Sequence, residues 1–254
     1  MTPDIVYVVR PGERNEELRY SLRSLSNLPH GRVWIAGYMP KWVTGVGHIP
    51  APTMPRGRAQ AKANLRAACE HPEVSESFVY MCDDVFLMQP MDRLPAMHRG
   101  PVADILRSSS VASSYLRALD KTRKVLADRG ITEPLMYDLH GPMLVTKRRM
   151  LEALDLCATA LMHELTLYGN LNRIGGERRH NYKVRRQQHG WESWPFLSTN
   201  DSSFAGQPVG RFIRSRFEGM SPYEATPPPA EPAPRTPRRP IRYRAAMQAV
   251  QVPA

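Results

Sequence analysis

A pair of adjacent aspartates interrupts one of the most apolar stretches of the chain. Residues 78–87 read Phe-Val-Tyr-Met-Cys-Asp-Asp-Val-Phe-Leu, which predicts a buried strand over residues 78–81 that leads into Asp83 and Asp84. Charge inside an apolar run is costly unless something compensates it. Two explanations are open: the carboxylates bind a divalent metal on a nucleotide diphosphate, or they cap a turn or helix. Neighbouring side chains on a strand point to opposite faces, so both aspartates can serve one site only if the strand ends there.

The first 36 residues have the pattern of a β-α-β unit. A strand is predicted over Asp4–Val9 and a second over residues 32–36, and between them Leu18, Leu22 and Leu25 recur at helical spacing. This opening is typical of an α/β nucleotide-binding sheet. Further helices are predicted over residues 58–69, 114–128 and 147–167, and a further strand over Met143–Thr146. The sequence therefore predicts an α/β fold with a sheet flanked by helices.

Composition places limits on the class of protein. The chain has 254 residues, of which 42% are hydrophobic, and it has no apolar run of the length that a membrane span needs. Its three cysteines are far apart, and an odd number suits a reduced compartment. The first residues lack the pattern of a secretory signal. We therefore expect a cytoplasmic protein without a transmembrane segment.

The residues after position 225 differ in composition from the rest. Residues 226–254 are rich in proline and arginine, which cannot build a core, so we predict a domain over residues 1–225 and a disordered basic tail. The formal net charge of the whole chain is +11. Such charge favours anionic partners, and the tail is a candidate for binding nucleic acid or an acidic surface.

Several segments follow one another in an order shared with a known family. Residues 17–25 read Glu-Leu-Arg-Tyr-Ser-Leu-Arg-Ser-Leu, and Leu-Pro (28–29) and Val-Trp-Ile (33–35) come next. Asn-Leu (64–65), Pro-Glu-Val-Ser-Glu-Ser-Phe (72–78) and Asp-Asp-Val-Phe-Leu (83–87) follow at consistent spacing. This region resembles the second conserved region of the Stealth proteins. Members of that family are sugar-phosphate transferases, including bacterial capsule polysaccharide enzymes and the lysosomal-enzyme N-acetylglucosamine-1-phosphotransferase.

Two shorter matches extend the resemblance to residues 4–224. His-Gly-Pro-Met (140–143) resembles the family's His-x-Pro element, and Thr-Asn-Asp (199–201) with Ser-Pro-Tyr-Glu (221–224) resembles its last region. The beginning departs from the pattern. The family's first strand commonly ends in Trp-Val-Asp/Asn-Gly, whereas Arg10-Pro11-Gly12 follows Val9 here. The chain thus resembles a compact, divergent member, of a size that suggests a phage or a related element.

The resemblance implies a GT-A-like core, a nucleotide-sugar donor similar to UDP-GlcNAc, an acceptor hydroxyl, and Mg²⁺ or Mn²⁺. The expected metal ligands are Asp83, Asp84 and Asp201. The expected catalytic residues are His140, as the general base or as a contact to the donor phosphate, with Asp84 and Asp201. Arginine forks match phosphate oxygens. Residues expected to bind the nucleotide sugar are Arg19, Arg23, Asn64, Asp83, Arg178, Arg179 and Asn200.

Each of these residues also has a structural explanation. The arginines can pair with surface carboxylates or stay solvated, a loop histidine can be structural, and an Asn-Asp pair can form an Asx turn. The function has alternatives as well. The reaction can move sugar-1-phosphate or the sugar alone, and the acceptor can be DNA or a phage or cell-surface protein. A catalytically inactive protein that binds nucleotide sugar or nucleic acid is the remaining hypothesis.

Overall fold

The computed structural model describes residues 2–54, 57–108, 113–157, 161–185 and 190–227. The predicted disordered tail therefore lies outside the described residues, apart from its first two positions. The strands, in chain order, are β1 (Asp4–Val9), β2 (Val33–Gly37), β3 (Gly47–Ile49), β4 (Ser77–Cys82), β5 (Val85–Leu87), β6 (Met97–His98), β7 (Met143–Thr146), β8 (Glu177–Arg178) and β9 (Phe196–Ser198).

The helices surround these strands. They are α1 (Glu16–Ser24), α2 (Gly57–Glu70), α3 (Val102–Arg107), α4 (Ser114–Ala127), α5 (Lys147–Leu156), α6 (Glu164–Leu171), α7 (Asp201–Gly206) and α8 (Pro208–Arg216). Short 3-10 turns follow α1 and precede β9. Among the described helices, none is both long and apolar enough to cross a membrane.

The main sheet is mixed and has the strand order β3-β2-β1-β4-β7. Strands β3, β2, β1 and β4 are parallel, whereas β7 pairs antiparallel with β4 at the edge. The predicted α/β fold with helices on the sheet is thus confirmed. The predicted strand Met143–Thr146 is found with the same bounds, and β2 is shifted by one residue from its prediction.

Both faces of the central strand are covered. All six residues of β1 are buried, as expected for a strand in a parallel sheet covered by helices. Val6 and Val8 lie in the cluster that includes Leu65 of α2, whereas Ile5 and Tyr7 lie in the cluster of Leu18, Leu22 and Leu25. The leucine spacing that predicted α1 therefore also places this helix against one face of the sheet.

The order in which the chain adds strands to the sheet reverses at β1. It runs outward from β1 through β2 to β3, and then returns through α2 to β4 on the other side of β1. Such a topological switch point leaves a crevice outside the carboxyl ends of the two strands, and ligands of open α/β sheets bind there. The residues that follow β1 and β4 line this crevice.

The prediction of one helix over residues 147–167 is wrong, because the structure contains two. Helix α5 ends at Leu156 and α6 begins at Glu164. The backbone is extended at His163, whose N–H donates to Thr122 Oγ1 at 2.9 Å instead of continuing a helical ladder. This hydrogen bond to α4 therefore overrides the helical periodicity of the local sequence. The break also turns His163 toward the candidate site.

Candidate functional site

Four carboxylates come together at the carboxyl edge of the main sheet. Asp83 and Asp84 follow β4, Glu17 lies in the first turn of α1, and Asp201 begins α7. Strand β9 pairs antiparallel with β5, with Val85 opposite Ser198, and so returns residues 199–201 to the side of Asp84. Residues that are far apart in sequence therefore meet in one group. We call these four side chains the acidic cluster.

Arg10 is the first cation of the acidic cluster. It follows β1, and its Nη2 lies 2.8 Å from Glu17 Oε2 and also contacts Asp201 Oδ1. Its Nε lies 3.5 Å from Asp83 Oδ2. The side chain is 52% exposed, so it reaches the cluster from the solvent side. Arg10, which departs from the Stealth pattern, thus pairs with three carboxylates.

Asn15 and Thr199 hold the buried members of the cluster. Asn15 caps α1 by accepting from the N–H of Leu18, and its Nδ2 donates to Asp83 Oδ2 at 2.7 Å. Thr199 Oγ1 donates to Glu17 Oε1 at 2.6 Å. Helix α1 is therefore tied to the ends of both β4 and β9 by hydrogen bonds to carboxylates.

The protonation of the two buried carboxylates is perturbed. Burial and the charge of Asp84 together raise the pKa of Asp83 to about 6. The hydrogen bond from Asn15 and the positive charge of Arg10 act in the opposite direction. Burial likewise raises the pKa of Glu17 to about 7, opposed by Thr199 and Arg10 and reinforced by the neighbouring aspartates. The negative charge in this region is thus only partly compensated.

Lys183 is the second cation of the acidic cluster. Its Nζ lies 2.5 Å from Asp84 Oδ2 and also contacts the carbonyl oxygen of Thr199. The Thr199 N–H in turn donates to the Asp84 carbonyl at 3.1 Å. The Lys183 side chain is 13% exposed, so this ion pair is largely shielded from water. Asp84 is thus held by Thr199, directly after β9, and by Lys183.

Two cavities adjoin different members of the acidic cluster. A cleft of about 510 Å³ is lined by residues 10–17 together with Asp201, Phe204 and Ala205. A smaller cavity of about 90 Å³ is lined by Asp84, His140 and Glu164, with Asp138 and His163 on its wall. The cleft beside Glu17 and Asp201 therefore has room for a large polar ligand, and the cavity beside Asp84 has room for a small group.

Asp138 connects two histidines beside the smaller cavity. Its Oδ2 accepts from Tyr115 Oη at 3.1 Å and lies 3.5 Å from His163 Nδ1, and its Oδ1 lies 3.8 Å from His140 Nδ1. Burial by itself would raise the pKa of Asp138. The contacts with His163, His140 and Tyr115 outweigh burial and hold that pKa below its usual range. Asp138 therefore stays ionised next to His140.

His140 has an unusual backbone conformation. Its φ angle is 53°, in the left-handed region that residues other than glycine rarely adopt. Its Nδ1 lies 3.0 Å from Asn181 Oδ1, and the preceding carbonyl, that of Leu139, accepts from the N–H of Tyr182 at 2.9 Å. Strained conformations persist where surrounding contacts fix them, and they cluster at functional sites.

The four carboxylates of the acidic cluster are oxygen ligands of the kind that Mg²⁺ and Mn²⁺ take. When all four carboxylates are ionised, as they would be beside a cation, their charge exceeds that of Arg10 and Lys183 by two negative units. Within the described ranges, no three His, Cys, Asp or Glu side chains are arranged as a ready metal cage. Mg²⁺ commonly takes only one or two carboxylates and fills its shell with water and phosphate oxygens. The residues therefore fit an ion that arrives with a diphosphate.

Two predicted ligand-binding amides have structural contacts near the site. Asn200 caps α7, because its side chain accepts from the N–H of Ser203 at 2.9 Å in a capping box. Asn64 is buried in α2, and its Nδ2 donates to the Val9 carbonyl at 3.1 Å. Asn200 thus fixes the helix that begins with Asp201, and Asn64 fixes the strand end before Arg10.

Arg19 and Arg23 have different partners from those we predicted. Both are buried and bind Glu224, with Arg19 Nη1 at 2.5 Å from Oε2 and Arg23 Nε at 2.7 Å from Oε1. Arg23 also donates to the carbonyls of Phe217 and Glu218. These contacts are the structural alternative to phosphate binding, and through them the guanidinium groups join α1 to residues 217–226. Their four-residue spacing on one helix face lets them share one carboxylate.

Arg178 and Arg179 lie on the surface, at the end of β8 and directly after it. Arg178 Nη2 is 3.9 Å from Asp104 Oδ2, and Arg179 pairs with Glu177 two residues away. Both side chains are exposed, which agrees with the solvated alternative. Neither contacts the acidic cluster in the described parts of the chain. The same segment nevertheless continues to Asn181 and Lys183, which do reach the site.

Sequence reasoning missed several residues of the site. These are Asn15, Glu17, Thr199, Lys183, Asp138, His163 and Asn181. A signal existed for Asn15, since an Asn directly before Glu16-Glu17 is a typical helix N-cap. No local signal identified Lys183 among the many basic residues around it. Its role depends on the pairing of residues 183–184 with Ser198.

Comparison with known proteins adds no identification. No protein-family model matches the chain, and no curated protein matches it. The resemblance to the Stealth proteins therefore stays a prediction that rests on the residues quoted above.

Proposed function

We propose that this chain is a GT-A-like, metal-dependent transferase that moves a sugar or sugar-1-phosphate from a nucleotide sugar to an acceptor hydroxyl. The donor is a UDP-linked sugar similar to UDP-GlcNAc. One observation carries the proposal: Asp83 and Asp84 lie at the topological switch point between β1 and β4, where α/β sheets bind ligands. The resemblance to the Stealth proteins is the second support.

The two cavities suggest a division between donor and acceptor. The cleft of about 510 Å³ takes the nucleotide diphosphate, because it is the larger one and Arg10 and Arg14 line it. The cavity of about 90 Å³ takes the acceptor hydroxyl, because it lies between Asp84 and His140. His140 accepts the proton of that hydroxyl, and Asp138 stabilises the charge that forms on the imidazole.

Asp83, Asp84 and Asp201 would hold a divalent ion, which would neutralise the charge of the diphosphate. The chain's own residues supply the remaining electrostatic help. Arg10 and Lys183 are the cations that contact these carboxylates. Arg10 also lines the cleft assigned to the diphosphate, where its guanidinium group can approach phosphate oxygens, whereas Lys183 fixes Asp84. Removal of the divalent ion is therefore expected to abolish donor binding, and loss of Lys183 is expected to weaken it.

Two bond-breaking patterns are compatible with this arrangement. In one, the acceptor oxygen attacks the phosphorus next to the sugar, the P–O–P bridge breaks and a nucleoside monophosphate leaves. In the other, it attacks the anomeric carbon, the bond from that carbon to the phosphate oxygen breaks and a nucleoside diphosphate leaves. In both, the proton of the hydroxyl passes to His140.

Product analysis tests this function. The full chain is incubated with UDP-GlcNAc and other nucleotide sugars, Mg²⁺ or Mn²⁺, and a panel of protein, glycan and DNA acceptors. UMP with labelled sugar phosphate on the acceptor indicates phosphotransfer, and UDP with labelled sugar indicates glycosyl transfer. An Asp83→Asn/Asp84→Asn variant is the control, and turnover that survives this change contradicts the proposal.

Arg10 favours a second candidate, a protein that binds nucleotide sugar without transferring it. Its contacts with Glu17, Asp83 and Asp201 occupy carboxylates that the reaction needs for metal. Metal-dependent binding of the nucleotide sugar without release of nucleotide, across the whole acceptor panel, is the result expected of such a protein.

A further inference from the structure

We propose that Asn181 is a positioning residue that holds His140 as the Nδ1–H tautomer and so leaves Nε2 to accept the acceptor's proton. This inference rests on the proposed function in one respect only, the role of His140 as the base. The tautomer itself follows from hydrogen bonds and can be measured without any turnover.

The orientation of the Asn181 amide is fixed by a backbone group. The N–H of Lys183 lies 3.0 Å from Asn181 Oδ1. A backbone N–H can only donate, so the atom that meets it must be the carbonyl oxygen of the amide and not its NH₂ group. The side-chain oxygen of Asn181 is thereby identified as an acceptor.

That oxygen decides which nitrogen of His140 carries the proton. His140 Nδ1 lies 3.0 Å from the same Asn181 Oδ1. Two acceptors cannot bond to each other, so Nδ1 must carry the hydrogen. Asp138 Oδ1, at 3.8 Å from Nδ1, is a second acceptor on the same side. In neutral imidazole the other nitrogen is then the acceptor, which is Nε2.

The nitrogen left as the base has room to act. In the part of the chain that the structure describes, Nε2 of His140 makes no hydrogen bond, and His140 lines the cavity together with Asp84. The other charged or titratable side chains of this cavity are Tyr80, Cys82, Asp138, His163 and Glu164. An acceptor hydroxyl in this cavity would meet the lone pair of Nε2.

The backbone around Asn181 supports this positioning. Tyr182 N–H donates to the Leu139 carbonyl at 2.9 Å, and the Tyr182 carbonyl accepts from Ser198 at 2.9 Å. Residues 181–183 are thereby held between the loop of His140 and β9. Lys183, two residues on, binds Asp84. One short segment therefore orients the base and the carboxylate on both sides of the cavity.

The test compares Asn181→Leu, which removes the acceptor, with Asn181→Asp, which keeps an acceptor oxygen. Long-range ¹H–¹⁵N correlation spectra of the full chain report the tautomer, and a His140→Gln sample assigns the signal. We expect Nδ1–H in the wild type and in Asn181→Asp, and a shift toward Nε2–H in Asn181→Leu. If the wild type shows mainly Nε2–H, or if Asn181→Leu leaves the tautomer unchanged, the proposal is wrong.

Kinetics separate the positioning role from the proposed function. With a turned-over acceptor, kcat of Asn181→Leu should fall on the order of 10²-fold with little change in the donor KM, because the base is misdirected. Asn181→Asp should recover most of this loss. If the tautomer behaves as expected but no acceptor is turned over, the positioning stands and the proposed transfer fails. The wild-type spectrum remains decisive if the leucine variant does not fold.

Discussion

Replacement of Glu224 by glutamine should destabilise the protein strongly. The Glu224 side chain is fully buried and accepts hydrogen bonds from Arg19, from two nitrogens of Arg23, and from Ser221 N and Oγ. The change keeps the volume of the side chain but removes its charge. Two buried guanidinium groups then share no counter-ion.

The expected loss is about 3–5 kcal/mol in the free energy of unfolding, the cost of breaking a buried ion pair from one side. This is a large part of the roughly 5–15 kcal/mol that stabilises a typical domain. Urea denaturation at neutral pH, followed by tryptophan fluorescence, measures it. Glu218→Gln is the matched control, because Glu218 lies in the same segment and its side chain is exposed.

A loss below about 1 kcal/mol for Glu224→Gln would refute this reasoning, since it is the size of an exposed ion pair. A triple variant with Arg19→Met, Arg23→Met and Glu224→Leu should recover part of the loss, because no unpaired charge remains.

Acidification should also lower the free energy of unfolding. Burial would raise the pKa of Glu224, but Arg23, Ser221 and Arg19 lower it, so its contribution is present at neutral pH and is lost as pH falls below the ordinary glutamate range.

Three further changes have defined outcomes. The pKa of Glu17 is raised to about 7 in the folded protein, so the folded state keeps a proton there that the unfolded chain loses at lower pH. The free energy of unfolding should therefore decrease as pH rises from about 5 to 7, and less so in Glu17→Gln, as urea denaturation would show. Lys183→Met leaves Asp84 without its cation and should weaken donor binding roughly tenfold by calorimetry. Gly37→Ala should cost about 1–3 kcal/mol by thermal denaturation, because φ is 105° and a Cβ would lie 2.6 Å from a carbonyl oxygen, whereas Gly57→Ala, in open space, should not.

Much of the fold could be predicted from local patterns. The apolar runs gave β1 and β4, and the leucine spacing gave α1, because these elements bury their side chains in the way that their period requires. The short strands β3, β5 and β9 have three residues each and were not predicted. Three residues are too few for a period to be read. Their existence depends on the strand with which each one pairs.

The site was predicted only in part, for a similar reason. Asp83, Asp84 and Asp201 meet in the structure, and their signal was a charge at the end of an apolar run or in a family motif. Arg19 and Arg23 were assigned to phosphate because the partner that neutralises them, Glu224, lies 201 residues beyond Arg23. Arginine chemistry alone does not distinguish a phosphate from a buried carboxylate.

The basic segment before β9 shows the same limit. Arg178 and Arg179 attracted attention as a pair, whereas the residues that reach the site from this segment are Asn181 and Lys183. The side chains of Arg178 and Arg179 are exposed to solvent, whereas those of Asn181 and Lys183 contact the site. This difference depends on how residues 181–184 pair with β9 and with the loop of His140.

Calorimetric titration of the full chain with UDP-GlcNAc, in the presence and absence of Mn²⁺, tests the central claim most directly, because it does not depend on knowing the acceptor. The acidic cluster at the carboxyl ends of β1 and β4 should bind the nucleotide sugar only with the ion. Asp83→Asn should abolish this binding, and Asp92→Asn, in a loop away from the cluster, should leave it unchanged. Binding that is indifferent to Mn²⁺ and to Asp83, or no binding across a panel of nucleotide sugars, would contradict the account.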